Sequence, residues 1–471
     1  MSIRIYNSLT RKKELFEPLS PPQVNMYTCG VTVYDECHIG HARSLYIFDV
    51  LRRYLSYRGY QVRLVRNITD IDDKIINRAK ELKIIWSELT EKYIKSYYQD
   101  LDSLNISRAD YEPRATENIP EMIKHIEGLI AKGYAYIAET GVYFRVRNFP
   151  DYGKLSGQDI DEMRQGIRRE PDETKQDALD FALWKKSQPD EPFWESPWGK
   201  GRPGWHIECS VMSARYLKTD TLDIHAGGRD LIFPHHENEI AQSKALSGKP
   251  FAKYWLHHGL LTINSQKMAK SLGNFITIKG FIEKHHNTDF LKLFFLSAHY
   301  AHPMDYTDKK IEEAKTALEK FHILLRKAQL IVRKSGISSP VKIVDFIEKH
   351  KQRFIEAMDD DFNMPVALSC LFDLVNETNK FIDSEKSNPK YTEIIYQACE
   401  EAILELGNKI FGLFNDLSWE PLTDEEKNLL DKREKSRQSK DFKTSDELRE
   451  ELKKKGIIVE DTSEGQSYRR A

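Results

Sequence analysis

Cysteine is scarce in this chain: five in 471 residues, at Cys29, Cys37, Cys209, Cys370 and Cys399. So small and odd a number argues against a disulfide framework and for a reduced, intracellular protein. An excess of charge of one sign is also missing, since 71 Lys and Arg oppose 73 Asp and Glu for a formal net charge of −2. A nucleic-acid partner therefore meets no global basic field, and any surface for one has to be a local patch. No run of eighteen apolar residues occurs, which excludes an ordinary membrane-spanning helix. The first residues, Met1-Ser2-Ile3-Arg4-Ile5-Tyr6, lack the apolar centre of a secretory leader, so none is expected. Long repeats and low-complexity tracts are absent too. What remains is a folded chain of ordinary composition, 40% hydrophobic and 31% charged, long enough for two to four domains.

Residues 24–31 read as a short strand ending at a glycine turn. From about His41 to Arg58 the apolar residues Ile47, Val50, Leu51, Tyr54 and Leu55 recur at helical spacing, with Gly59 as terminator. Gln61–Asn67 then reads as a second strand. Strand, helix, strand is the seed of a parallel sheet, and such sheets bind ligands at the C-terminal ends of their strands. Cys29 and Thr69-Asp70 both fall at such ends. Residues 119–132 predict an amphipathic helix, followed by a hairpin through Ala135–Ala138 and Val142–Val146. Residues 120–195 are read as an insertion into the first domain. From Asp308 the pattern becomes helical and locally basic, Asn363-Met364-Pro365 looks like a helix start, and helices continue to about Phe414. A last unit from about Thr423 is read as one charged helix through Leu452, then Ile457-Ile458-Val459, a turn at Ser463-Glu464-Gly465, and Tyr468-Arg469-Arg470.

Four short runs carry chemistry. In His38-Ile39-Gly40-His41 two imidazoles sit three apart at a helix start. Gly40 lets a flat group approach the backbone, and the helix N-terminus offers free N–H groups to phosphate. Lys267-Met268-Ala269-Lys270-Ser271, with Gly273 and Asn274 behind it, puts two ammonium groups on a loop that could grip pyrophosphate. Trp205-His206-Ile207-Glu208-Cys209 reads as a strand end or loop. In His235-His236-Glu237-Asn238-Glu239, His235 and Glu239 share one face of a helix beginning after Pro234. Cys29 and Cys209 as thiolates, His235 and Glu239 would make a four-coordinate zinc site assembled only by the tertiary fold. His236 and Glu237 are competing donors that spacing does not exclude. A zinc-bound thiolate would separate cysteine from serine, which differ by one atom.

On these runs the chain resembles the bacterial-type cysteinyl-tRNA synthetases, class I enzymes, along nearly its whole length. His38–His41 matches the family's first signature and Lys267–Ser271 its second. Tyr27–Gly30, Asn67–Lys74, Gly201–Cys209 and Phe233–Glu239 are further long matches. The resemblance implies one zinc ion on Cys29, Cys209, His235 and Glu239, and Gly30, Thr69 and Trp205 lining the amino-acid pocket. It further implies His38, His41, Lys267 and Lys270 as catalytic, and His38, Gly40, His41, Gly227, Asp230, Lys267 and Lys270 around ATP, with Mg on the phosphates. L-cysteine, ATP and the cysteine tRNA are the implied partners of a cytoplasmic, monomeric enzyme with no membrane partner.

The implied fold is α/β: a Rossmann-like parallel-sheet catalytic domain with an insertion, a helical bundle and a small α+β C-terminal domain. The expected divisions are 1–119 and 196–255 for the catalytic halves and 120–195 for the inserted connective domain. They continue with 256–307 for the link carrying the lysine loop, 308–415 for the bundle and 416–471 for anticodon binding. The sequence departs from the family at Asn77, Ala226, Ala269, Ala301 and Tyr468. Two other readings share part of the pattern: a ligase joining cysteine to an amino-sugar, and a non-catalytic RNA-binding relative. The C-terminal third argues against the first, and the intact histidines, lysines and donor set argue against the second.

Overall fold

β-Branched and aromatic residues in Gln23–Thr32 (β1) and Gln61–Thr69 (β2) build two neighbouring parallel strands, joined by helix Ile39–Tyr57 (α1). Val24, Met26 and Tyr27 are wholly buried, as expected for a sheet covered on both faces. On α1 the stripe Ile47, Val50, Leu51, Tyr54 and Leu55 is buried, and Gly59 follows the cap with a φ of 88°. The computed structural model describes residues 2–159, 174–269, 272–335, 345–384, 389–415, 423–462 and 465–470.

Two more strands complete the sheet. Helix Trp205–Leu217 (α2) leads to Leu222–Gly228 (β3), and helix Glu237–Ser247 (α3) to Ala252–His258 (β4). The order is β4-β3-β1-β2, all parallel. The crossover between β2 and α2 contains an antiparallel sheet of Ala135–Ala138, Gly141–Phe144, Phe181–Lys186 and Gly201–Pro203. Beyond β4, the short strands Leu261–Ile263 (β5), Gln266–Lys267 (β6) and Met304–Tyr306 (β7) form a small sheet with β5 in the middle. Helices Asp308–Ser335, Asp345–Asp359, Met364–Ser384 and Pro389–Ile403 follow and pack on one another. None of the described helices is long and apolar enough to cross a membrane.

The chain divides into two compact units, Met1–Asn415 and Asp416–Ala471. The second has its own core of Leu429, Leu430, Leu452, Ile457 and Val459. Helices Asp424–Gln438 and Phe442–Lys454 lie beside a hairpin of Ile457–Thr462 and Gly465–Arg470.

Three expectations need correction. Gly30 does not end β1: the ladder to β2 slips between Thr28 and Val31 and then resumes to Thr32. Trp205–Cys209 is neither strand end nor loop but the first turns of α2. Gly204 lies so close to the next strand that a Cβ there would come within 2.0 Å of the Ala182 carbonyl oxygen, and the helix starts directly after it. The charged stretch 423–452 is two helices, because Lys440 turns left-handed at φ 61° and Asp441 caps a new helix by accepting from Thr444 N–H. Lys270, Ser271 and the turn at Ser463-Glu464 lie outside the described residues.

Candidate active site and metal centre

The register slip in β1 turns Cys29 and Gly30 out of regular pairing at the C-terminal edge of the sheet. Gly30 N–H donates to Asn67 Oδ1 at 2.8 Å. A Cβ on Gly30 would lie 1.6 Å from the Asn67 carbonyl oxygen, so no larger residue fits. Asn67 Nδ2 donates to Thr69 Oγ1 at 3.2 Å, and Thr69 Oγ1 donates to Glu208 Oε2 at 2.6 Å. Asn67, Thr69 and Glu208 are all buried. This chain of bonds joins the Cys29 segment to the Cys209 segment. Burial, with Asp72 and Asp70 nearby, pushes the Glu208 carboxyl well above the usual carboxylate range.

Cys29, Cys209, His235 and Glu239 offer one donor atom each, all within 4.8 Å of one another. His235 Nε2 is 2.8 Å from Glu239 Oε1 and 3.5 Å from Cys209 Sγ, while Cys29 Sγ is 3.7 Å from Glu239 Oε1. Zinc bonds of about 2.0–2.3 Å set tetrahedral donors about 3.3–3.8 Å apart; the two sulfur contacts lie in that range, the His235–Glu239 contact is shorter and would open to admit the ion, and the S₂NO donor types suit zinc. His235 has its other nitrogen 2.9 Å from His206 Nδ1, the outer contact that fixes a ligating ring. A second set, Cys29, His225, His236 and Glu239, also converges. Its His236 lies 3.2 Å from Cys29 Sγ through Nε2 and 2.8 Å from His257 Nε2 through Nδ1. His225 Nε2 contacts Glu239 Oε2.

Burial raises both thiols, Cys29 to about 11 and Cys209 well above its ordinary range. Burial also opposes protonation of His235, but the Glu239 carboxylate and the Cys209 sulfur override it and raise the ring to about 10. Glu239 is itself held well below the usual range: burial resists ionisation, and His225 and His235 overcome it. At neutral pH the thiols therefore keep their protons and the Glu239 carboxylate is balanced by His235; a bound dication would take the place of those protons. Trp205, 37% exposed, stacks on His235 with ring centroids 4.0 Å apart.

At the start of α1, His38 is the N-cap. Its Nδ1 accepts from Gly40 N–H at 3.0 Å and His41 N–H at 3.2 Å, and His38 N–H donates to His41 Nδ1 at 3.3 Å. The two rings stack with centroids 3.7 Å apart. A Cβ on Gly40 would lie 2.8 Å from His38 Cε1. Because both Nδ1 atoms accept, the neutral rings carry their protons on Nε2. Burial holds His38 down to about 4; burial, with His38 and Lys74 adding to it, holds His41 down to about 3.

Lys267 ends β6, on the exposed hairpin after β5. Asn274 closes the following loop, donating to Lys267 O at 3.2 Å and accepting from Ala269 N–H at 2.9 Å. The far end of the loop is tied to α1: Ile39 N–H donates to Ile276 O at 3.0 Å and Ile278 N–H to Cys37 O at 2.9 Å. Gly227, the next-to-last residue of β3, lies against the His236 ring, where a Cβ would come within 2.8 Å of Cε1, and the Asp230 carboxylate lies over Gly228.

Sequence reasoning did not single out His225, Asn67, Glu208 or Arg43. Arg43 had a usable signal: it lies four residues before Ile47, on the buried stripe of α1.

A model of the tRNA synthetases class I (C) catalytic domain matches residues 15–316, a DALR domain model residues 353–415, and a cysteinyl-tRNA ligase anticodon binding domain model residues 420–469. The cysteine–tRNA ligase of Thermodesulfovibrio yellowstonii is 49% identical, covering 98% of each chain. That of Aquifex aeolicus is 46% identical over 100% of this chain and 99% of its own. Among solved structures, Mycobacterium tuberculosis methionyl-tRNA synthetase with methionyl-adenylate superposes with a TM-score of 0.63 at 16% identity, covering 82% of this chain and 90% of that one. The LeuRS–tRNA–LeuAMS complex of Agrobacterium radiobacter K84 gives 0.64 at 11% identity, with 86% and 87% covered. These two likenesses concern the fold.

Proposed function

The chain belongs to the cysteine–tRNA ligase family and so activates cysteine with ATP and charges tRNA, and from that premise we propose how its residues divide the work. ATP, with magnesium on its phosphates, lies between the start of α1 and the lysine hairpin, beside Gly40, Gly227 and Asp230. The Nε2–H groups of His38 and His41 donate to the α-phosphate as the cysteine carboxylate attacks it. Lys267 and Lys270 stabilise the departing pyrophosphate. The cysteinyl group then passes from the adenylate to the 3′ terminal adenosine of the cysteine tRNA.

Zinc is held by Cys29, Cys209, His235 and Glu239. This set is favoured over the one with His225 and His236 because it borders the proposed amino-acid pocket: Gly30 follows Cys29, Trp205 stacks on His235, and Thr69 bonds Glu208 beside Cys209. His225, by contrast, stacks on Trp255 in the core. A zinc ion held by these four residues would supply a soft partner for the substrate sulfur that the serine hydroxyl does not match. Discrimination of roughly 10⁴ corresponds to about 5–6 kcal/mol. Thr69 spends its proton on Glu208 and one lone pair on Asn67; its other lone pair suits the substrate ammonium.

The proposed division is 1–119 and 196–255 for catalysis, 120–195 for the insertion, 256–307 for the lysine-loop link, 308–415 for the bundle and 416–471 for the anticodon. We take the enzyme as a cytoplasmic monomer.

The convergence of the four donors carries the zinc reading. Metal analysis and cysteine-dependent ATP–pyrophosphate exchange test it. One zinc per chain is expected. Cys209→Ser should weaken zinc and cysteine binding by more than the roughly 10–100-fold caused by losing an outer partner, with ATP binding unchanged. An active, metal-free protein, or serine activated as readily as cysteine, sinks it.

A further inference from the structure

Arg43 is fully buried on α1, two residues past His41. Among the described residues no carboxylate pairs with it. Instead its guanidinium donates to four backbone carbonyls: Nη1 to Gly259 at 2.7 Å and Leu260 at 2.9 Å, Nη2 to Tyr300 at 3.2 Å and His302 at 2.6 Å. Burial lowers its pKa to about 10, which leaves it charged at neutral pH. A buried cation without a counter-ion is costly unless its donors are satisfied. Its two Nη groups do this with two carbonyls each, leaving Nε–H without a hydrogen-bond partner among the described residues, an arrangement that a lysine ammonium does not reproduce.

The four acceptors belong to two segments. Gly259-Leu260 leads into β5, and Tyr300–His302 leads into β7. The segments are bonded to each other as well, Gly259 N–H to Tyr300 O and Met304 N–H to Leu260 O, each at 2.9 Å. They run so close that a Cβ on Gly259 would fall 2.1 Å from His302 O. β5 pairs with both β7 and β6, and β6 ends at Lys267. One side chain thus roots the small sheet bearing Lys267 on the helix bearing His38 and His41. The backbone bonds of Ile39 and Ile278 tie the other end of the same segment to the start of that helix.

We propose that Arg43 is a positioning residue for adenylate formation, setting the place of Lys267 relative to the two histidines through the roots of β5 and β7. The inference rests on the reading that His38, His41 and Lys267 act on ATP. It assigns a function to a residue that touches no substrate.

Pyrophosphate exchange with the full-length, zinc-loaded protein tests it. Misplacing a group by about 1 Å can slow a reaction by roughly 10²-fold. Arg43→Met is expected to lower kcat by about that factor, with the cysteine KM and zinc content unchanged. Arg43→Lys should recover part of the loss. Lys267→Ala should slow the wild type strongly but add little in the Arg43→Met background, because both changes remove one function. Gly259→Ala, which displaces an acceptor and leaves the guanidinium intact, should reproduce the kcat loss and serves as the test if Arg43→Met does not fold. Independent, multiplying effects of Arg43→Met (or Gly259→Ala) and Lys267→Ala overturn the inference alone. A wild-type rate in Lys267→Ala overturns the reading beneath it, and the inference with it. Parallel loss of cysteine binding and zinc assigns Arg43 to global folding and also overturns it.

Discussion

Two histidines at a helix start are ordinarily ambiguous between cap and ligand, and here one ring does both. Nδ1 of His38 is occupied by the backbone and Nδ1 of His41 by the His38 N–H, so capping fixes the tautomer and leaves each Nε2–H as the outward donor. The sign of the pKa shifts matters for this role. Both folded values, about 4 and about 3, lie below the ordinary imidazole value, and burial is the leading cause. The folded state therefore favours the neutral rings. Their contribution to stability is fully present above the unfolded value near pH 6.5 and is lost as acid carries pH down towards the folded values. Between about pH 5.5 and about pH 8 neither ring should titrate. Histidine-resolved NMR over that range should show flat ring shifts for His38 and His41, with the proton on Nε2. A midpoint near 6.5 for either ring contradicts the cap-fixed tautomer.

Among the elements, α1 and its two flanking strands were legible because their apolar residues keep a clean period over many residues. The start of α2 was not. Trp205-His206-Ile207 is locally compatible with a strand, and the helix is imposed by the close passage of Gly204 along Phe181–Lys186. The break at Lys440 was hidden for another reason: between Leu430 and Phe442 the stretch has no apolar residue, so there is no rhythm for a break to interrupt. Residue types and spacing left His236 and Glu237 open beside Cys29, Cys209, His235 and Glu239; the family resemblance singled out those four, and the fold brings their donor atoms together. The Asn67–Thr69–Glu208 chain and the carbonyls around Arg43 were unreadable, because they arise from contacts between distant segments. Local chemistry does specify the beginning of the C-terminal unit. Thr423 Oγ1 accepts from Glu426 N–H at 3.2 Å, and the Glu426 carboxylate accepts from Thr423 N–H at 2.8 Å. This reciprocal cap satisfies two otherwise free donors. Thr423→Ala should lower the stability of helix Asp424–Gln438 by about 1 kcal/mol, read as faster amide exchange in its first turns. Unchanged exchange there removes the cap from the account.

For the whole molecule, the division into two units gives the two steps of the reaction different sensitivities. On the proposed reading, activation of cysteine uses the parallel sheet, the donor set and the lysine hairpin, whose described residues all belong to Met1–Asn415. Among its described residues the C-terminal unit has a core of five buried apolar side chains, so a single polar anchor matters more there than in a large domain. Arg433 is that anchor. It is 1% exposed and grips Asp461 with two parallel bonds of 2.9 and 2.8 Å, joining the first helix of the unit to its hairpin. It also donates to Gln466 Oε1 at 3.0 Å, and Gln466 Nε2 donates to the Leu430 carbonyl at 2.6 Å. Removing one partner of a nearly fully buried pair costs about 3 kcal/mol; Asp461 keeps 24% exposure and a second ion pair with Arg437, so the loss here is smaller. Arg433→Met should therefore loosen the C-terminal unit and slow tRNA charging by at least tenfold, about 1.4 kcal/mol. Cysteine-dependent pyrophosphate exchange should stay within about twofold of the wild type, because no part of the activation machinery depends on this anchor. Equal loss of both activities means that the two units do not fold independently, and unimpaired charging means that the Arg433 bridge is not what presents this unit to RNA.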